Sequence, residues 1–232
     1  MHDRRDISPT EQKTTVMNQV QEQPKVHKPK VGAGQMQPAL FKNPILEKLS
    51  RTHISIPLAI FAIISATVAY YGITEVGLPA SRVATFYVVG FFFFTLVEYL
   101  AHRFVYHMEP DKKWKEELAY KFHGVHHDYP KDKTRLALPP IVSIIIASAL
   151  FGIFYLVMGV NAFGFLPGLL TGYATYLGVH YIVHAYRPPN NFFKALWVNH
   201  GVHHYKHSDK AFGVSSPLWD YVFRTMPPKA RG

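Results

Sequence analysis

Cysteine is absent from the 232 residues, which excludes disulfides and thiolate metal sites and leaves nitrogen and oxygen as metal ligands. Charge is scarce in the middle of the chain. Ile54 to Ile73 carries none, Val83 to Ala101 carries only Glu98, and Leu136 to Tyr186 runs 51 residues without Asp, Glu, Lys or Arg. Helices of a soluble protein normally present a polar face, so these stretches argue against one. Acidic residues are few, 15 against 25 Lys and Arg, for a net charge of +10. Such a balance often signals a nucleic-acid partner. Here the basic residues flank apolar spans, which suits the anionic surface of a lipid bilayer, and no nucleic acid is expected. The N-terminus lacks the apolar core of a secretory signal, and residues 1–37 read as a disordered polar tail ahead of one membrane domain, 38–232.

A helix needs ~20 mostly apolar residues to cross a hydrocarbon core ~30 Å thick. The 51-residue stretch is too long for one crossing and is interrupted by Gly159, Asn161, Gly164 and Pro167. Four spans follow, at about 54–73, 83–101, 140–158 and 166–185, in two hairpins. With an even number of spans, both termini and the central loop share one side. Nine Lys and Arg precede the first span, eight lie between Arg103 and Arg135, and seven follow Ala185; only Arg82 is opposite. That bias makes the shared side cytosolic. Pro38 to Arg51 alternates Leu40, Phe41, Ile45, Leu46 and Leu49 with Lys42, Lys48 and Arg51, as in a surface-lying helix or a loosely structured segment before the membrane.

Histidine is what the chain has in excess. Of fourteen, only His2, His27, His53 and His207 fall outside clusters, and these read as surface or loop residues. His102 and His107 end the second span; His123, His126 and His127 lie in the central loop. His180 and His184 end the fourth span, and His200, His203 and His204 follow it. His-Gly-Val-His-His occurs twice, at 123–127 and 200–204, each time after a hairpin and a histidine pair. Residues three and four apart share a helical face, so each pentapeptide is expected to aim three imidazoles at one point. Asp111 is expected to cap a helix over Lys112 to Phe122, and Asn191 one over Phe192 to Val198. His102 and His107 lie roughly 140° apart on an unbroken helix, so the helix is expected to end or unwind between them. Neutral imidazoles converge without the repulsion carboxylates suffer, and ten exceed what one ion accepts, which divides naturally into two ions with about five nitrogens each. Glu98, one turn before His102, either accepts a hydrogen bond from a ligand histidine or reaches to the interface.

The pattern His-x4-His, His-x2-His-His, His-x3-His, His-x2-His-His resembles that of the membrane fatty acid hydroxylase superfamily, with all ten positions filled over roughly Phe94 to Met226. Glu98-Tyr99, Pro130-x-Asp132-x-x-Arg135-Leu136, Pro139-Pro140 and Gly213-Val214-x-x-x-Leu218-Trp219-Asp220 resemble its fatty acid 2-hydroxylase branch. Sterol desaturase relatives share the histidines but match these flanks less well. The resemblance implies an all-α integral membrane fold, its hairpins capped on the cytosolic face by a histidine-rich domain holding two iron ions, with zinc an alternative occupant of isolated protein. It implies hydroxylation at C2 of a fatty acyl chain, free or in a ceramide-like lipid, with O2 as co-substrate. The di-metal centre itself does the chemistry, and Glu98, Asp132 and Tyr176 are candidates for the layer behind the ligands. Tyr176-Leu177 and Ala185 depart from the Tyr-Asp and His of many eukaryotic members. Residues 1–40 are too short and polar for the cytochrome b5 domain fused to some members, so an external donor such as cytochrome b5 or a ferredoxin is implied. The membrane would be the endoplasmic reticulum in a eukaryote and the inner (plasma) membrane in a bacterium. A desaturase or sterol oxidase with the same site, and a metal transporter, are the alternatives.

Overall fold

The computed structural model describes residues 39–40, 42–108, 111–134, 136 and 139–228. The polar tail of residues 1–37, with His2 and His27, and Arg135 lie outside the described residues, as do Pro38, Phe41 and the side chains of Leu46 and Leu49. The described residues form helices and turns without strands. A short helix α1 (Pro44–Ser50) precedes α2 (Ser55–Thr74) and α3 (Ala80–Leu100). Next come α4 (Lys113–Ala119) and α5 (Val125–Asp128), then α6 (Pro140–Met158), α7 (Ala162–Ala185), α8 (Lys194–Tyr205) and α9 (Leu218–Val222).

Three helical stretches are long and apolar enough to cross a membrane: Ser55–Thr74, Ala80–Tyr106 and Pro140–Ala185. The third is α6 and α7 joined by a 3-10 turn at Gly159–Asn161. The chain folds back there, because Phe151 meets Phe163 at 5.1 Å and Phe154 meets Phe165 at 4.7 Å between ring centroids. Gly159 takes φ +58° at the bend, a conformation that suits glycine. Arg82 donates to the Asn161 Oδ1 at 2.8 Å and so ties the two hairpin bends together.

Gly164 and Pro167 do not interrupt the chain as expected; both lie inside α7, which starts four residues before the expected Leu166. The Pro167 carbonyl accepts the hydroxyls of Ser65, at 3.2 Å, and Thr171, at 2.8 Å, the first of which ties α7 to α2. The glycines serve packing. A Cβ on Gly168 would stand 1.9 Å from the Tyr87 carbonyl oxygen, and one on Gly90 would stand 2.1 Å from that of Phe165. Backbones of α3 and α7 therefore touch along Gly164, Gly168 and Gly172, a small-residue spacing typical of membrane helix pairs. Around this contact Phe94, Phe165, Leu166, Leu169, Leu170 and Leu177 form the buried core with Phe61 of α2. The outer faces of α6, such as Ile145, Leu156 and Val157, are exposed, as suits lipid.

Gly168→Ala is expected to push α3 and α7 apart and cost about 1–3 kcal/mol, the usual range for overpacking. Thermal unfolding in detergent checks this, with Gly152→Ala as the control, since a Cβ there meets nothing within 4 Å. Equal effects from the two would refute the packing account.

Candidate metal centre

The helix that continues α3 ends between His102 and His107, as expected, at Tyr106. It widens into a π-helical turn over Ala101–Tyr106, closed by the His107 N–H donating to the His102 carbonyl at 3.2 Å. An i→i+5 bond completes one turn, so residues five apart come to the same side. The two rings lie 5.1 Å apart. A second π-helical turn, Tyr120–Gly124, separates α4 from α5 and carries His123. Asp111 pairs with Lys115 at 2.6 Å instead of capping α4, whose first turn has no side-chain cap. The Asn191 side chain accepts the Phe193 N–H, at 3.1 Å, in the turn ahead of α8, whose first turn likewise has no side-chain cap, and α8 runs through the whole second pentapeptide.

All ten clustered histidines come together, in two groups of five. His102, His107, His123, His127 and His203 form one; His126, His180, His184, His200 and His204 form the other, with ligand atoms within 4.8 Å of one another in each. The pentapeptides therefore do not aim three imidazoles at one point. Successive residues of an α-helix are roughly 100° apart, so adjacent histidines diverge. Each string keeps its i, i+4 pair for its own half and sends the middle histidine, His126 or His203, into the other half's group. The groups touch where His127 stacks on His204, at 4.1 Å and 16°.

The donor set fits metal ions. In the first group the His123 Nε2 lies 3.0 Å from both the His102 and the His127 Nε2. In the second the His126 Nε2 is 2.9 Å from that of His180 and 3.0 Å from that of His184, which is itself 2.7 Å from that of His200. A neutral imidazole nitrogen either donates one proton or offers one lone pair, so no tautomer satisfies two such contacts at once. Lone pairs converging on a shared cation do satisfy them. Nitrogens ~2.1 Å from one ion, at right angles about it, would be roughly 3 Å apart. Burial holds His123, His126, His200 and His204 well below the usual imidazole range, neighbouring imidazoles lower them further, and burial pushes His203 down to about 4. These five rings are therefore neutral near pH 7, as metal ligands have to be.

Backbone carbonyls after α8 orient two of these rings. The His102 Nδ1 donates to the Phe212 oxygen at 2.6 Å and the His203 Nδ1 to the Lys210 oxygen at 2.7 Å. Glu98 neither reaches outward nor holds a ligand ring; it is buried and accepts the N–H groups of Val214 and Ser215, at 2.7 and 2.8 Å, and the Ser215 hydroxyl. Asp220 accepts the N–H groups of Phe212 and Gly213, at 2.9 and 2.8 Å. Tyr176 stacks on His180, with centroids 5.4 Å apart. Asp132 accepts the Thr134 N–H and hydroxyl, at 2.9 and 2.7 Å, and faces Arg51 at 3.6 Å, fastening the loop after α5 to the segment before α2. Asp128, fully buried and bonded to the Tyr120 hydroxyl at 3.1 Å, escaped the sequence reading although an acid directly after two clustered histidines was a usable signal. His53 is exposed beside Ser55, and the His207 N–H caps α8 by donating to Val202. Open cavities flank the centre. One of about 410 Å³ is lined by Lys131, His184, Arg187, Trp197, His200 and His204. Another, of about 370 Å³, is lined by Tyr106, His107, Tyr120, His123 and His127.

The model of the family described as fatty acid hydroxylase matches residues 87–225, which contain all ten histidines. The ceramide very long chain fatty acid hydroxylase of Schizosaccharomyces pombe is 36% identical over 212 residues, covering 88% of this chain and 59% of that protein. The fatty acid 2-hydroxylase of Homo sapiens is 37% identical over 163 residues, covering 66% and 42%. The dihydroceramide fatty acyl 2-hydroxylase of Arabidopsis thaliana is 36% identical over 152 residues, covering 65% and 64%. The solved structure of full-length scs7p, with only the hydroxylase domain visible, is similar at a TM-score of 0.76 and 28% identity, covering 85% of this chain and 75% of that one. The chain thus spans between about two fifths and two thirds of the length of these curated relatives. On the matched span and its histidine pattern, the chain belongs to the fatty acid hydroxylase family.

Proposed function

We propose that the chain is a membrane monooxygenase that hydroxylates C2 of a fatty acyl chain, carried by a ceramide-like lipid or as the free acid. The observation that carries the reading is the meeting of ten imidazoles, eight of them buried, in two groups of five where long apolar helices end. The names of the relatives, fatty acid 2-hydroxylase and dihydroceramide fatty acyl 2-hydroxylase among them, support this position and substrate class.

In this proposal each group of five binds one iron ion. Iron bound there would supply O2 activation with two electrons from an external donor such as cytochrome b5 or a ferredoxin, chemistry that side chains do not provide. The protein's part is positioning. Neutral, buried imidazoles present lone pairs from fixed directions, and carbonyls behind His102 and His203 hold those rings in place. The surrounding burial excludes bulk water from the reacting carbon. An acyl chain can remain in the apolar layer beside α6 and α7 while its head end rises to the histidines. Four crossings with both termini and the site on the cytosolic side belong to the same proposal, supported by the fold-back at Gly159–Asn161 and by the gathering of basic residues on one side. A transporter needs ligands along a path near the bilayer midplane, and these sit at the ends of α3 and α7.

Lipid mass spectrometry of cells expressing the chain is expected to show N-acyl chains heavier by one oxygen at C2, lost on His126→Ala or His203→Ala. An unchanged lipid profile with iron, oxygen and reductant supplied would remove the hydroxylase assignment. Metal analysis of purified protein is expected to give two ions per chain. The double substitution His180→Ala with His184→Ala, in the second group, is expected to leave one ion. Loss of both ions from that protein would point to a single shared site.

A further inference from the structure

We infer that the two ions are held unequally, and that the loop of residues 210–215, latched by Glu98, makes the group of His102, His107, His123, His127 and His203 the retentive one. The inference rests on the two-ion reading above and adds the difference between the sites.

The difference lies behind the rings. A carbonyl only accepts, so the contacts to Phe212 and Lys210 fix the Nδ1–H tautomer of His102 and His203 and leave each Nε2 with its lone pair facing the group. In the other group the Nδ1 atoms of His126, His180, His200 and His204 are buried without a hydrogen-bond partner among the described residues. Those rings are placed by packing alone, and an ion there must itself settle their tautomers and orientations. Such partners behind ligand histidines typically change metal affinity by about 10- to 100-fold.

The loop that supplies both carbonyls is itself under constraint. Ala211, between Lys210 and Phe212, is buried and takes φ +55°, in the left-handed region that disfavours a residue with a Cβ. Surrounding bonds hold it there. The Ala211 N–H donates to the Thr225 carbonyl at 2.9 Å, and Asp220 takes the next two N–H groups. Glu98 takes the two after those and the Ser215 hydroxyl. Glu98 and His102 leave the same helix one turn apart, so one side chain grips the loop that turns the other. Glu98 is thus a positioning residue that acts on His102 through residues 212–215.

The test uses the full chain in detergent, loaded with zinc and challenged with excess chelator, with residual zinc measured over time. Two phases of equal size are expected, the slow one about 10- to 100-fold slower. His107→Ala is expected to abolish the slow phase and His184→Ala the fast one. Glu98→Ala should bring the slow phase toward the fast rate without moving the fast phase. Glu98→Gln, which keeps an acceptor oxygen for both N–H groups, should restore it. A single phase, a slow phase lost in His184→Ala, or acceleration of both phases by Glu98→Ala would overturn the inference. Should Glu98→Ala fail to fold, the two histidine variants still decide which group is slow. Loading below two ions per chain would overturn the two-ion reading instead.

Discussion

Everything at the histidine centre depends on how closely α3 and α7 approach. His102 and His107 extend from the end of one helix, and His180 and His184 from the end of the other. The backbones meet at Gly90, Gly164, Gly168 and Gly172, where a methyl group would stand within 2.6 Å of a neighbouring atom at each. Between apolar helices in lipid there is little hydrophobic drive to associate, so close van der Waals packing through small residues has to supply the contact. That contact sets the separation of the two histidine pairs. A wider crossing would leave each pentapeptide with its own pair and no partner group beside it.

The exchange of middle histidines makes the two halves interdependent. His126 leaves the first half's string for the second half's group, and His203 does the reverse. Neither group then completes its five imidazoles until both halves have folded. Eight of the ten imidazoles are buried, and a buried nitrogen without a partner, as on His126, His180, His200 and His204, is costly. On the proposed reading, an ion shared by five of them would offset that cost, which would couple metal binding to assembly of the histidine cap. The stacking of His127 on His204 places the groups against each other, as the proposed action of both on one substrate carbon would require.

Much of this was legible in the residue order. Long runs without charge marked the apolar helices, and repeated clusters marked the histidines that meet. The division of those histidines was not legible, because a helical period shows that positions 123, 126 and 127 are near one another without showing that adjacent ones diverge toward different partners. Gly164 and Pro167 misled because glycine and proline break helices in water yet pack inside them in membranes. The π-helical turns have no sequence signature beyond the five-residue spacing of His102 and His107. Glu98 was identified as significant, but its partners are backbone N–H groups 116 and 117 residues away, which no side-chain pattern reveals. The same holds for the carbonyls of Lys210 and Phe212.

On the proposed reading, the place of the histidines along the helices bears on which carbon would be oxidised. C2 of an acyl chain is one bond from the carbonyl that joins it to its head, so a centre acting there has to sit at the depth of the lipid heads. Oxidation farther down the chain would instead require a channel carrying methylene groups away from the bilayer, or ligands lowered toward its middle. Here α3 is apolar up to Glu98, and His102 follows one turn later; α7 is apolar up to His180. The ligands therefore begin where the hydrocarbon-compatible sequence stops. A chain lying along α6 and α7 would bring its first carbons to them without leaving lipid, and its head would face the cavity that Lys131, Arg187 and Trp197 line. On the proposed reading, the lengths of the apolar runs would thus select the position of attack, while the imidazoles would hold the metals that perform it.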